Sequence, residues 1–215
     1  MTQEARFSRM EPELRKANLI EATLVCLKRH GFQGASIRKI SAEAGVSVGL
    51  ISHHYSGKDE LVAEAYRAVT GRVMSLLRDA MEQAAPNARE RLSAFFRASF
   101  SAELLDPQLL DAWLAFWGAV KTAEAINLAH EHSYGEYRSE LRKVLNDLAR
   151  QEGWEAFDAD LAAISLSALL DGLWLESGLN PGTFTPSQGM QICEAWVDGL
   201  QAGGRQRFSL QTEGC

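Results

Sequence analysis

Apolar residues recur along the chain at intervals of three and four, and no stretch alternates apolar with polar over the length of a strand, so the pattern predicts an all-α protein. The first stripe runs through Leu19, Ala22, Cys26 and Leu27 and predicts a helix from about Pro12 to His30, with proline tolerated in the first turn and Gly31 ending it. Ser36 is placed to cap a short helix through Ala44. After Gly45-Val46, Ser47 is placed to cap another, to about Tyr55. Ser56, with Asp59 three residues on, opens a long helix to Ala84. Beyond the break at Pro86-Asn87, helices are predicted over 88–104, 107–121, 123–152, 158–178 and 186–202. Asp106-Pro107 pairs a cap with proline at the first helical position, and Thr185-Pro186-Ser187-Gln188 adds a capping-box glutamine, so the count comes to about nine helices.

The segment Leu161 to Leu175 breaks the amphipathic rule, being apolar nearly all round apart from Ser165, Ser167, Asp171 and Gly172. It is shorter than the ~20 residues a bilayer requires, so no membrane partner is expected. A helix of this kind needs cover on more than one side, and the simplest cover is the same helix of a second copy. A homodimer closed by a four-helix interface is therefore expected, with Leu166, Leu169, Leu170, Leu173 and Trp196 as its candidate contacts.

Composition changes this picture little: 46% hydrophobic and 23% charged residues in a chain of 215 describe a globular protein able to bury a core. Cys26, Cys193 and Cys215 lie far apart with no CxxC pair, so neither a metal nor any other cofactor is expected, and Cys26 and Cys193 read as reduced thiols packed inside helices. The start of the chain lacks an export pattern, which makes the cytoplasm the expected location. The net charge of −6 argues against a nucleic-acid partner until it is divided. Residues 1–60 carry nine Lys and Arg against seven Asp and Glu, whereas residues 61–215 carry thirteen against twenty-one. The balance is +2 in the first part and −8 in the second, as for a chain with one DNA-facing end.

That end holds the strongest motif. Two short helices joined at Gly45 are what a helix-turn-helix requires, because the tight turn sets the second helix across the first and frees it to enter the major groove. Ile37, Ile40 and Ala44 are expected to face the core from the first helix, and Val46, Ile51 and Tyr55 around the second. Ser47, Val48, Gly49, Leu50, Ser52, His53 and His54 are then left outward. Gly49 would permit close backbone approach, Ser52 and the histidines offer hydrogen bonds, and Val48 or Leu50 could touch a thymine methyl. Ser36, Arg38, Lys39 and Lys58 complete the candidate DNA contacts, mainly to phosphate. A bare two-helix turn can also be merely a helical corner.

The order Gly31-Phe32, Ser36 helix, Gly45-Val46-Ser47 turn, His53-His54-Tyr55 and Lys58-Asp59-Glu60-Leu61 resembles the TetR family of repressors across roughly residues 12–62. Ser52 departs from the general family pattern, in which an aromatic residue usually stands there. The Ser52-His53 pair, together with Ala112-Trp113-Leu114-Ala115-Phe116-Trp117 and Leu169-Leu170-Asp171-Gly172-Leu173-Trp174-Leu175, is similar to the choline-responsive BetI-type repressors of glycine betaine synthesis. The resemblance implies a dimeric, nine-helix, non-enzymatic repressor of double-stranded DNA. It divides the chain into a DNA-binding domain over 1–60, an effector-binding and dimerisation domain over 61–203, and a flexible tail over 204–215. The operator, the regulated genes and the effector's action on DNA binding are not legible.

Trp113, Phe116 and Trp117 share one face of a helix at i, i+3 and i+4, and Asp171 and Trp174 are i, i+3 neighbours on another. If the faces converge, indole walls and one acid make a cage for a quaternary ammonium such as choline, with Tyr134 and Tyr137 as possible hydroxyl donors. Core packing explains the same aromatic stripe, and Asp171 could equally serve a neighbouring hydroxyl. Of the rival classes, an enzyme would have to rest on His130-Glu131-His132, whose histidines point about 200° apart on a helix and read as solvated surface. A helical adaptor binding protein through its N-terminal unit would differ in its weak response to salt.

Overall fold

The computed structural model describes residues 12–203 together with 206 and 208. Among them are nine helices and no extended strand: α1 (Pro12–Gly34), α2 (Ile37–Ala44), α3 (Val48–His54), α4 (Lys58–Glu82), α5 (Ala88–Ser99), α6 (Pro107–Val120), α7 (Glu124–Gln151), α8 (Ala159–Leu179) and α9 (Pro186–Gln201). Five starts are set by side chains that accept an otherwise orphaned backbone amide three residues on: Ser36, Ser47, Asn87, Asp158 and Thr185. At Thr185 the box is reciprocal, since its own amide donates to Gln188 Oε1 at 2.8 Å.

Three boundaries differ from expectation for identifiable reasons. Gly31 does not end α1 but kinks it, at φ 63° and ψ 177°, a conformation glycine reaches without steric cost. The box at Ser56 and Asp59 does not form; the Ser56 amide donates instead to Glu60 Oε2 at 2.6 Å, and the helix begins at Lys58. α5 stops at Ser99 rather than near residue 104, because Ser101 gathers the following amides, its hydroxyl accepting from Leu104 and its carbonyl from Leu105. This turn sends Phe100 and Leu104 into the core. The bounds of α8 match the predicted helix to within one residue, and it is 21 residues long. By length and composition it reaches a membrane span, so the argument from the shorter Leu161–Leu175 stretch does not hold for the whole helix.

Packing gathers the helices into two compact units. The first holds α1, α2, α3 and α6 with the leading parts of α4 and α7. Its fully buried side chains include Leu19, Leu27, Ile40, Ile51, Leu61, Tyr66 and Phe116, each worth on the order of 2 kcal/mol in apolar transfer. Ile40 and Ile51 are buried as the periodicity predicts, whereas Ile37, Val46 and Tyr55 are only half-buried. The Tyr66 ring lies edge-on to Trp113 and Phe116, at 5.6 and 5.0 Å. Its hydroxyl pairs with His130 Nδ1 at 2.9 Å, so His130 is a half-buried partner and not the solvated side chain expected.

The second unit holds α5, α8 and α9 with the remaining parts of α4 and α7. Its core includes Leu77, Phe95, Phe96, Leu145, Leu166, Leu170, Cys193 and Val197. α9 packs against both α5 and α8, and Gly189 permits the close approach. A Cβ there would lie 2.6 Å from Phe100 Cε1 and 2.9 Å from Phe184 Cε2. Gly189→Ala is therefore expected to destabilise the protein by about 1–3 kcal/mol through overpacking, read as a lower thermal midpoint. An unchanged midpoint would mean that the Phe100 and Phe184 rings relax freely.

Candidate nucleic-acid and effector sites

The turn between α2 and α3 is built from its backbone. Gly45 sits in the left-handed region at φ 68° and ψ 34°, its amide donating to the Ala42 carbonyl, while the Val46 amide donates to Ser41. Asn18 Nδ2 donates to the Ala44 carbonyl at 3.0 Å and fastens α1 to this corner. With Ile51 at 0% exposure, α3 is pinned on one side. Ser47, Val48, Gly49, Ser52, His53 and His54 are exposed and Leu50 is half-exposed, forming a single outward ridge.

The flanking residues are placed less uniformly. Arg38 and Lys39 are exposed, and Lys39 Nζ donates to the Gly34 carbonyl at 2.8 Å. Ser36 and Ser47 accept as caps but keep their O–H as a donor. Lys58 is drawn inward: Nζ donates to the Phe32 carbonyl at 3.0 Å and stands 4.0 Å above the Phe32 ring. It braces the kinked end of α1, with two of its three protons left for phosphate.

The residues expected to form one cage fall into two groups. Trp113, Phe116 and Trp117 lie in the first unit. Trp113 and Phe116 are buried beside Tyr66, and Trp117 is half-buried with its ring 6.1 Å from that of Trp113. Tyr134, Tyr137, Asp171 and Trp174 lie in the second. There Trp174 is 7% exposed and its indole N–H donates to the Ser99 carbonyl at 3.1 Å. Trp174 therefore serves the core and its donor is already used.

Asp171 is the chemically unusual member. Burial pushes its carboxyl up to about 6, against the opposing pull of the Tyr134 hydrogen bond and of the Arg138 guanidinium. Tyr134 donates its hydroxyl to Asp171 Oδ2. Arg138 stands 5.2 Å over the Tyr134 ring, and the Tyr137 ring lies 6.1 Å from it.

α8 also corrects the expected dimer contacts. Leu166 and Leu170 are 0% exposed within a single chain, so they belong to its core and cannot meet a second copy. Leu169 and Leu173 are half-buried, and Trp196 packs on Phe208 of the same chain at 6.0 Å. The outward stripe is Leu161, Ile164, Ala168, Gly172, Leu175 and Leu179, with Ile192, Ala195 and Gly199 outward on α9. A Cβ at Gly172 or Gly199 would meet nothing within 4 Å.

Against this geometry, comparison with known proteins is decisive. Residues 19–65 match the model of bacterial regulatory proteins of the tetR family, and residues 88–202 match that of the BetI-type transcriptional repressor C-terminal domain. The chain belongs to the TetR family. It is 30% identical to the HTH-type transcriptional regulator BetI of Vibrio campbellii over 188 residues, covering 87% of this chain and 92% of that protein. A crystal structure of a transcriptional regulator from Pseudomonas aeruginosa PAO1 is 77% identical, with a TM-score of 0.93, over 96% of this chain and 99% of that one. A regulator from Saccharomonospora viridis in complex with choline shares the fold at 21% identity and a TM-score of 0.72, over 89% of this chain and 97% of that one.

This TetR-family protein is thus a DNA-binding transcriptional repressor and not an enzyme, and its long apolar helix α8 lies within the BetI-type domain. Three of its contributors escape a reading of the sequence. Arg138 is signalled only by its i+4 relation to Tyr134, Tyr66 only by its place in α4, and Asn18 by nothing local. Among the described residues no group of His, Cys, Asp and Glu is arranged to hold a metal ion.

Proposed function

We propose that this repressor reads a palindromic operator through the ridge from Ser47 to His54, as a homodimer, and that a small organic cation relieves the repression. The observation that carries the DNA assignment is the ridge itself: with Ile51 pinned on one face, the other presents mostly small and polar groups, with Val48 and the half-exposed Leu50 among them. Arg38 and Lys39 supply charge to phosphates beside it, with Ser36 and Lys58 as further contacts. In this reading residues 1–60 read DNA and residues 61–203 hold the effector and the dimer contacts, inside the cytoplasm.

The outward stripe on α8, with its companion on α9, fits a second copy of the chain. Its large apolar side chains, Leu161 and Ile164 at one end and Leu175 and Leu179 at the other, flank the small pair Ala168 and Gly172, which lets helices of two copies approach closely around a shared axis. Two recognition helices must also be held about 34 Å apart to occupy successive major grooves, which one chain cannot do.

Asp171 with the Tyr134 and Tyr137 rings supports a cationic effector, by carboxylate attraction and cation–π contact. Choline is the first candidate because the curated relatives are named BetI, a choline complex exists for a protein of the same fold, and control of choline and glycine betaine genes would follow. Trp113, Phe116 and Trp117 support the effector response as aromatic packing beside Tyr66 on α4, the rod that begins beside the recognition helix. An effector that prefers one arrangement of the dimer would shift the population away from the DNA-competent one.

Fluorescence anisotropy with duplex DNA from the gene's own upstream region, titrated with and without choline, tests the reading. Operator binding weakened at least tenfold by choline is expected. Binding indifferent to choline and other quaternary ammonium ions would remove the effector assignment and leave the repressor standing.

Asp171→Asn is a companion test. Because burial raises the carboxyl, its contribution favours folding below about pH 4 and is lost as the pH rises through about 6. Asparagine keeps an acceptor for Tyr134 without the charge, so the variant is expected to be more stable at pH 8, by on the order of 1 kcal/mol after solvent screening, and to bind choline at least tenfold more weakly. Equal stability of the two proteins at pH 8 and at pH 4 would show that Asp171 is solvated.

A further inference from the structure

Tyr137 is the one member of the effector cluster whose polar atom has nothing to do. Its side chain is 8% exposed, and its hydroxyl is fully buried without a hydrogen-bond partner among the described residues. An orphaned buried hydroxyl costs on the order of 1–3 kcal/mol, which a folded protein rarely tolerates without a use for the group. Its neighbours give it no relief. Tyr134 spends its proton on Asp171, Phe95 presents a ring 5.9 Å away, and Cys193 is a fully buried thiol whose ionisation burial pushes up to about 12.

We propose that Tyr137 is a specificity-determining residue of the effector site, donating its hydroxyl proton to an oxygen acceptor that the effector carries a short distance from its cationic end. The inference rests on the cationic reading of the Asp171 cluster. It goes further by fixing a second pole of the ligand: Asp171 and the tyrosine rings attract the positive nitrogen, and Tyr137 selects molecules that also bear a hydroxyl, carbonyl or carboxylate oxygen.

The chemistry of the phenol restricts it to this role. Burial, reinforced by the negative charge of Asp171, holds the Tyr137 phenol well above its ordinary range, so it stays protonated at any working pH and presents a donor. The groups that bear on the pair are Tyr134 and Arg138 on α7, together with Cys193 on α9, which bears on Tyr137. Arg138 stands over the Tyr134 ring and is exposed, whereas the phenol is buried. A site that must satisfy a buried donor rejects ligands lacking the matching acceptor far more strongly than an apolar pocket rejects a missing methylene.

The test compares the full chain with its Tyr137→Phe variant by calorimetric titration against choline and against tetramethylammonium, which has the cation and no oxygen. Thermal midpoints are measured without ligand. Phenylalanine is expected to weaken choline binding about tenfold, to leave tetramethylammonium within twofold, and to leave the ligand-free midpoint equal or higher, because the orphaned hydroxyl is gone. Three results overturn the inference alone: undiminished choline binding, an equal loss for both cations, or a midpoint lowered by several degrees, which would reveal a protein partner for the hydroxyl. Failure of the unsubstituted chain to bind either cation would instead overturn the cationic reading and this inference with it.

Discussion

Gly49→Leu is expected to lower operator affinity about 100-fold or more while the chain stays folded. Gly49 is exposed in the first turn of α3, and a Cβ there meets only Ser47 Oγ, at 3.9 Å. The protein itself therefore has room for a side chain, and removing a glycine from a helix gains up to about 1 kcal/mol. The DNA does not have that room, because a leucine at the centre of the ridge holds the backbone away from the base edges that Ser52 and His53 would reach. Anisotropy with the upstream duplex reads the loss, and an unchanged or raised thermal midpoint shows that the fold survives. Gly71→Ala is the control, since a Cβ at Gly71 meets nothing within 4 Å and Gly71 lies on α4, away from the ridge. Full operator binding by Gly49→Leu would place the DNA contact elsewhere.

The second large effect concerns assembly. Ile164→Arg combined with Leu175→Arg puts two charges on the outward stripe of α8, at positions 47% and 38% exposed in the single chain. Neither substitution disturbs the protomer core. In a dimer, each would bury an unpaired guanidinium in an apolar contact, which costs several kcal/mol per charge. Sedimentation is expected to show a monomer at micromolar concentration, and operator affinity is expected to fall about 1,000-fold because the two half-sites are no longer bound together. The matched change Leu166→Arg should unfold the chain instead, since Leu166 is at 0% exposure. A dimer that withstands both stripe arginines would locate the interface on another face.

The contrast between Leu166 and Ile164 shows how far the sequence could be read. The periodicity of α8 announces a helix apolar on every side, and from that alone no face can be assigned to the protomer or to a partner. The nearly all-round pattern predicts the need for two covers and is silent on which residues meet which. The helix-turn-helix is the opposite case. Ile40 and Ile51 fix which sides of α2 and α3 turn inward, so the outward ridge follows from spacing, and the glycine at the corner follows from its left-handed backbone.

Sequence spacing misleads where a long-range contact decides. Lys58 reads as a free phosphate contact, yet the kink at Gly31 carries the Phe32 carbonyl and ring to it from 26 residues away. The Trp113 and Phe116 pair reads equally well as a cage or as core. Tyr66, 47 residues before Trp113, settles which side of α6 it occupies, and no local signal links the two. Asp171 is legible as an acid in an apolar run, but nothing local chooses Tyr134 over Tyr137 as its partner. The distinction between them, one hydroxyl satisfied and one orphaned, exists only in three dimensions.

Selection of duplexes from a random DNA pool by this chain, followed by sequencing of those retained at physiological salt, tests directly whether the Ser47–His54 ridge reads DNA. Enrichment of one two-fold symmetric site is expected, its half-sites centred about one helical turn, or a small multiple of it, apart, with that enrichment lost in Gly49→Leu. Retention without any enriched sequence, or an enriched site that Gly49→Leu still selects, would contradict that reading.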